Sequence, residues 1–221
     1  MDLARLVRTE PSPPPDLTGP MGPGGGVEGN ARLTGLAGAA LFVILAVEGL
    51  TLLQMHQLIS WHVFIGMLLV PPVLLKTAST MYRFGHYYRG DPRYAEKGPP
   101  HPLLRVTGPL LVLSTLALLG TGIALVAVGR DVGRQYLWMH KATFFVWAAL
   151  LAVHLLGHTV ETIPLATADW RERKRTAAVQ RLGGARARVV ALVVTLVVGA
   201  GLGVVSLGWV GSWHHFMHHL G

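Results

Sequence analysis

Among the ionisable side chains inside long apolar runs of this chain, the candidates are Glu48, His62, Lys76, His140, His154 and His158. Such groups are costly in apolar surroundings, and in a run that crosses a membrane they mark function. His140 and His154 are 14 residues apart. On an α-helix this spacing is about 40° short of four turns, so both imidazoles share one face, about 21 Å apart along the axis. Imidazoles so placed suit two haem irons, one near each surface of a membrane. His62 stands near the end of an earlier run, at the depth His140 occupies in its own. Those two are positioned to clamp one iron from opposite sides.

The elements that must hold these residues follow from composition. Of 221 residues, 51% are hydrophobic and 14% charged, where a soluble domain carries about a quarter charged. The charge is missing from whole blocks, which excludes a soluble globular enzyme and predicts an all-α integral membrane protein. Five apolar runs, 33–53, 58–82, 103–128, 137–160 and 189–210, each supply the roughly 20 residues that cross the hydrocarbon. The expected architecture is five transmembrane helices, a four-helix haem-binding bundle over 31–161 plus one extra C-terminal helix over 189–211. The short connections QMHQ and GRDVGRQ make their flanking helices antiparallel neighbours. Residues 1–30, rich in Pro and Gly, read as a disordered tail, with no apolar h-region of a signal peptide in 1–10. Residues 162–188, with the run RERKR, read as a basic cytoplasmic loop, and 212–221 as a His-rich external tail.

Charge sets the orientation. Fifteen of the 19 Lys and Arg lie on the side of the N-terminus, the 83–105 loop and the 171–188 loop. Arg130, Arg134 and Lys141 are the three on the other side, and Lys76 is inside a span. The positive-inside rule puts the N-terminus in the cytoplasm and the C-terminus outside, in the extracellular or periplasmic space. The same distribution explains the formal charge of +8 by topology rather than by nucleic acid. The absence of cysteine excludes disulfides, zinc–thiolate sites, iron–sulfur clusters and covalent c-type haem attachment.

With ligands on two helices of a four-helix core, the pattern His140-x13-His154 within LWMHKATFFVWAALLAVHLLGH resembles the diheme b-type cytochromes of bacterial membranes. That family includes the cytochrome b subunits of formate dehydrogenase and nickel–iron hydrogenase. The resemblance covers about 33–161 and implies haem b at two sites, four histidines normally serving two irons. It also implies a bacterial inner-membrane location and a division of labour. The chain would be a membrane anchor and electron conduit between a partner oxidoreductase subunit and quinone, surrounded by lipid, rather than a stand-alone enzyme.

The fourth ligand stays open among three residues. Lys76 repeats the 14-residue spacing from His62 and so shares the depth of His154. His86 has the right chemistry but stands about 36 Å beyond His62 along a helix. His158 is one turn past His154, so it replaces His154 or hydrogen-bonds a propionate rather than opposing it. His56 is a substitute for His62. Arg105 and Arg134 suit propionates, as guanidinium binds carboxylate bidentately, though topological charge explains both equally. In GSWHHFMHHLG, His214, His215, His218 and His219 around a Met suit a soft or borderline metal such as copper. Glu48 and His158 are equally explained as interhelical hydrogen-bonders, and Lys76 as a side chain snorkelling to the interface. Gly35, Gly38, Gly49, Gly108, Gly120 and Gly122 fit macrocycles or close helix packing alike, and Pro71-Pro72 predicts a kink. A competing reading is a non-haem transporter or metal-handling protein built on Glu48, His62, Lys76 and the His-rich tail.

Overall fold

The structure, a computed structural model, describes residues 26–95, 102–167 and 184–211. These residues are helical and contain no strand. Helix α1 (Gly26–Thr51) passes through a single 3₁₀ turn, Leu52–Gln54, into α2 (Met55–Tyr88). A short α3 (Pro92–Ala95) follows. The run Pro102–Ala166 is broken at Gly129, whose φ of 66° and ψ of −166° lie outside the helical region. Glycine reaches that conformation without the Cβ clash any other residue would meet. The break divides the run into α4 (102–128) and α5 (130–166), and α6 (Ala185–Leu207) completes the set.

Four stretches are long and apolar enough to cross a membrane: Gly26–Tyr88, Arg105–Gly129, Gln135–Leu156 and Ala185–Leu207. The first has 63 residues and is folded back on itself at the 52–54 turn, so five long helices result. Several boundaries differ from expectation. Helix α1 begins at Gly26 rather than beyond residue 30, because its first turns gain tertiary and i,i+4 anchors. Asn30 Nδ2 donates to the Ser79 carbonyl at 3.1 Å, and Arg32 pairs with Glu28 at 3.2 Å. The first turn of the chain reversal is 52–54, ahead of the expected QMHQ, which places His56 inside α2. Helix α2 continues through Pro71 and Pro72 and six residues past Tyr82. Its 34 residues reach about 51 Å, longer than the roughly 30 Å of a bilayer's hydrocarbon. Residues 162–166 and 185–188 of the expected basic loop are helical, Ala and Arg being good helix formers. Expectations for 1–25, 96–101, 168–183 and 212–221 lie outside the described residues.

Contacts fix the register of each hairpin. Helices α1 and α2 are antiparallel, Asn30 meeting Ser79 at one end and Thr51 meeting His62 at the other. Helices α4 and α5 are antiparallel as well, with Thr121 on His140 and Thr115 on Trp147. A small core of Leu41, Ile65, Leu69 and Val73, flanked by Ile44, Leu45, Phe64 and Leu119, joins the two hairpins. Helix α6 is no peripheral addition, because the most extensive packing of α2 is against it. A Cβ at Gly199 would stand 2.4 Å from the Leu68 carbonyl oxygen, and one at Gly203 would stand 2.6 Å from the Phe64 ring. Small residues four apart let the two backbones approach as larger ones would not.

The outer surface is apolar, with Phe145 70% exposed and Val197 66% exposed among many others. A surface of that kind suits lipid and not water. Exposed Trp61, Trp138 and Trp209 gather at the end holding the α1/α2 turn, the α4/α5 turn and the α6 C-terminus. Exposed Tyr82 and Tyr88 occupy the opposite end of α2, the arrangement of side chains that sit at membrane–water interfaces.

Candidate functional site

The two hairpins meet near the tryptophan-bearing end. His62 in the second turn of α2 and His140 in the early part of α5 face each other, ring centroids 6.3 Å apart and planes at 83°. Each imidazole is held on one edge by the other helix of its own hairpin. His62 Nδ1 lies 2.8 Å from Glu48 Oε1 and 3.1 Å from Thr51 Oγ1, both on α1. Thr51 directs its single proton to the Glu48 carbonyl at 2.6 Å, and a carboxylate only accepts. His62 Nδ1 must therefore carry the proton and donate.

His140 repeats the arrangement on the second hairpin. Its Nδ1 lies 3.1 Å from Thr121 Oγ1 on α4. The Thr121 hydroxyl donates to the Ala117 carbonyl at 2.8 Å, so it accepts from His140 Nδ1. With Nδ1 donating, the neutral form of each histidine presents Nε2 as a lone pair. Pinning the distal nitrogen in this way is how metal-ligating imidazoles are oriented. Gly122 makes room for the His140 ring, as a Cβ there would stand 3.1 Å from Cε1.

Among the described residues no three His, Cys, Asp or Glu side chains converge to hold a bare metal ion. A haem iron needs only two protein donors, because the porphyrin supplies the other four. Two metal–imidazole bonds of about 2.0–2.1 Å in line, with the ring radii added, span roughly 6 Å between ring centres. The 6.3 Å separation of His62 and His140 fits that donor set.

The remaining expected residues are not drawn into this pair. Lys76 turns its Nζ to α1, 3.4 Å from the Thr34 carbonyl oxygen and against Gly38. His154 is half-buried on α5, 14 residues past His140. His86 donates to Asp91 Oδ2 at 3.1 Å and stacks on Tyr94, near Tyr82, at the end of α2 remote from the 52–54 turn. There burial, followed by the neighbouring Tyr82, holds the Tyr94 phenol above its usual pKa. His56 is exposed in the first turn of α2, and Arg105 is exposed at the start of α4. The side chains of Arg134 and His158 lie outside the described residues, as do His214, His215, His218 and His219. Thr51 and Thr121 are functional neighbours the sequence reading missed. The available signal is the short connection in each hairpin, which brings the end of one helix beside the start of the next.

Comparison with known protein families, with curated proteins and with solved structures finds no match to this chain.

Proposed function

We propose that this chain is a membrane-embedded b-type cytochrome, with His62 and His140 as the two axial ligands of one haem iron between α2 and α5. The observation that supports it is the facing pair itself: two imidazoles from different hairpins, 6.3 Å apart, each with Nδ1 engaged, so that the neutral ring offers Nε2 as a lone pair to a metal. A bound haem supplies one-electron chemistry, its iron alternating between ferric and ferrous states. The chain's residues position the rings: Glu48 and Thr51 hold His62, Thr121 holds His140, and Gly122 leaves space beside it. The apolar core of Leu41, Ile65, Leu69 and Val73 closes the inner side against water. The role in the cell is electron transfer between a partner oxidoreductase subunit and quinone, within the bacterial inner membrane. A second haem at His154 is not part of this proposal, since Lys76 faces α1.

The test is spectroscopic. Protein purified from membranes of haem-replete cells is expected to show a low-spin b-type spectrum on reduction. His62→Ala and His140→Ala are each expected to remove that haem while the protein remains inserted. Unchanged haem content in both variants would sink the proposal. A second reading is favoured by one contact, the Glu48–His62 pair, since buried carboxylate–imidazole pairs also serve as proton relays in transporters. A colourless wild-type protein with proton-coupled transport activity selects that reading.

A further inference from the structure

The two histidines are held unequally. His140 donates to a neutral hydroxyl, whereas His62 donates to a carboxylate at 2.8 Å as well as to Thr51. Charge-assisted hydrogen bonds are roughly twice as strong as neutral ones. The Glu48 side chain is only 14% exposed, and its second oxygen, Oε2, is buried with no hydrogen bond among the described residues. A buried carboxylate without a full set of partners needs positive charge nearby. A ferric porphyrin core with two neutral imidazoles carries one net positive charge, and the ferrous core carries none.

From this we infer that Glu48 is a positioning residue that sets the redox potential of the haem, its carboxylate favouring the oxidised iron through His62. The inference rests on the haem reading above. The reaction concerned is ferric core plus one electron giving ferrous core. No bond forms or breaks, both imidazoles stay in place, and the electron comes from a one-electron donor. A negative charge on the far side of an axial imidazole increases the basicity of that ligand. It also opposes the loss of positive charge on reduction, so the potential is held low.

The experiment is a potentiometric titration of the purified haem protein at one fixed pH, with dithionite and ferricyanide as reductant and oxidant. Glu48→Gln keeps an acceptor in nearly the same shape and removes the charge. It is expected to raise the ferrous-to-ferric ratio at a given poise about tenfold, which is about 59 mV for one electron. Haem retained at an unshifted potential overturns the role of Glu48 and leaves the haem reading standing. A wild-type protein without haem overturns the haem reading instead. Where Glu48→Gln does not assemble, Thr51→Val decides. Removing the hydroxyl gives the whole N–H to the carboxylate, so a lower potential is expected, and an unchanged or higher one overturns the inference.

Discussion

The α1/α2 hairpin carries two polar groups, and they are built on different principles. At the inner end, Asn30, Thr34, Lys76 and Ser79 close on one another within the hairpin. Asn30 Nδ2 donates to the Ser79 carbonyl at 3.1 Å, Ser79 Oγ donates to Asn30 Oδ1 at 2.9 Å, Thr34 bonds Ser79 through their hydroxyls, and Lys76 reaches the Thr34 carbonyl. At the outer end, Glu48, Thr51 and His62 engage only one edge of an imidazole, and the ring faces His140 from the second hairpin. The apolar core separates the two groups. Polar residues in apolar helices therefore have two meanings here. A network that satisfies itself inside one hairpin joins two helices; acceptors left open between two hairpins can take a ligand.

The strongest way to break the outer group is to move the helix that carries His62. Helix α6 supports α2 at Phe64 and Leu68, about half a turn and under two turns past His62. Gly203→Leu places a side chain where a Cβ alone would stand 2.6 Å from Phe64 Cδ2, whereas at Gly201 a Cβ meets nothing within 4 Å. Overpacking of this kind costs about 1–3 kcal/mol, with haem content falling alongside thermal stability. Gly201→Leu, on the lipid-facing side of the same helix, is expected within about 0.5 kcal/mol of wild type. Equal melting temperatures for the two variants would remove α6 from the support of the site.

A smaller effect separates the two polar groups directly. Thr121→Val deletes the hydroxyl that accepts from His140 Nδ1, and loss of such an outer partner lowers metal affinity about tenfold at the mild end of its range. Ser79→Ala deletes a comparable hydroxyl from the inner network. It is expected to leave haem affinity unchanged and to cost about 0.6 kcal/mol of stability, typical of a hydrogen bond between membrane helices. Haem titration of the two variants under one condition compares them. Matching affinities would mean that Thr121 is structural glue like Ser79.

Much of the frame was legible because it depends on composition: the apolar runs, the two tight turns and the common depth of His62 and His140 all follow from length and spacing. Depth, however, is only one coordinate. Spacing along a helix does not say which neighbour a side chain meets: Glu48 is legible as an interhelical hydrogen-bonder, but not His62 as its partner. The short turn after Thr51 makes α1 an antiparallel neighbour of α2, and that is the signal for this contact. The contribution of α6 was hidden for a different reason. Gly199 and Gly203 look like any small residues in a span, and only the seating of the helix distinguishes them from Gly201.

Lys76 is the sharpest case of depth without direction. Its spacing from His62 equals that of His154 from His140, so the two share a level and suggest a second axial pair. Fourteen residues fall about 40° short of four full turns, so Lys76 is rotated around α2 relative to His62. Both side chains meet α1, and a shared level alone does not direct the amine to α5. The amine lies against Gly38 of α1, where a Cβ would stand 3.1 Å from Nζ, and it donates to the Thr34 carbonyl. Iron ligation requires an amine directed at α5, and a donor engaged on α1 is not so directed. Lys76→Met, which fills similar volume without the charge, is therefore expected to leave haem content, spectrum and midpoint potential unchanged. Its cost is about 0.6 kcal/mol of stability from the lost interhelical bond. If Lys76→Met loses one of two haems, the lysine leaves α1 when an iron is bound, and the inner group is a ligand site after all.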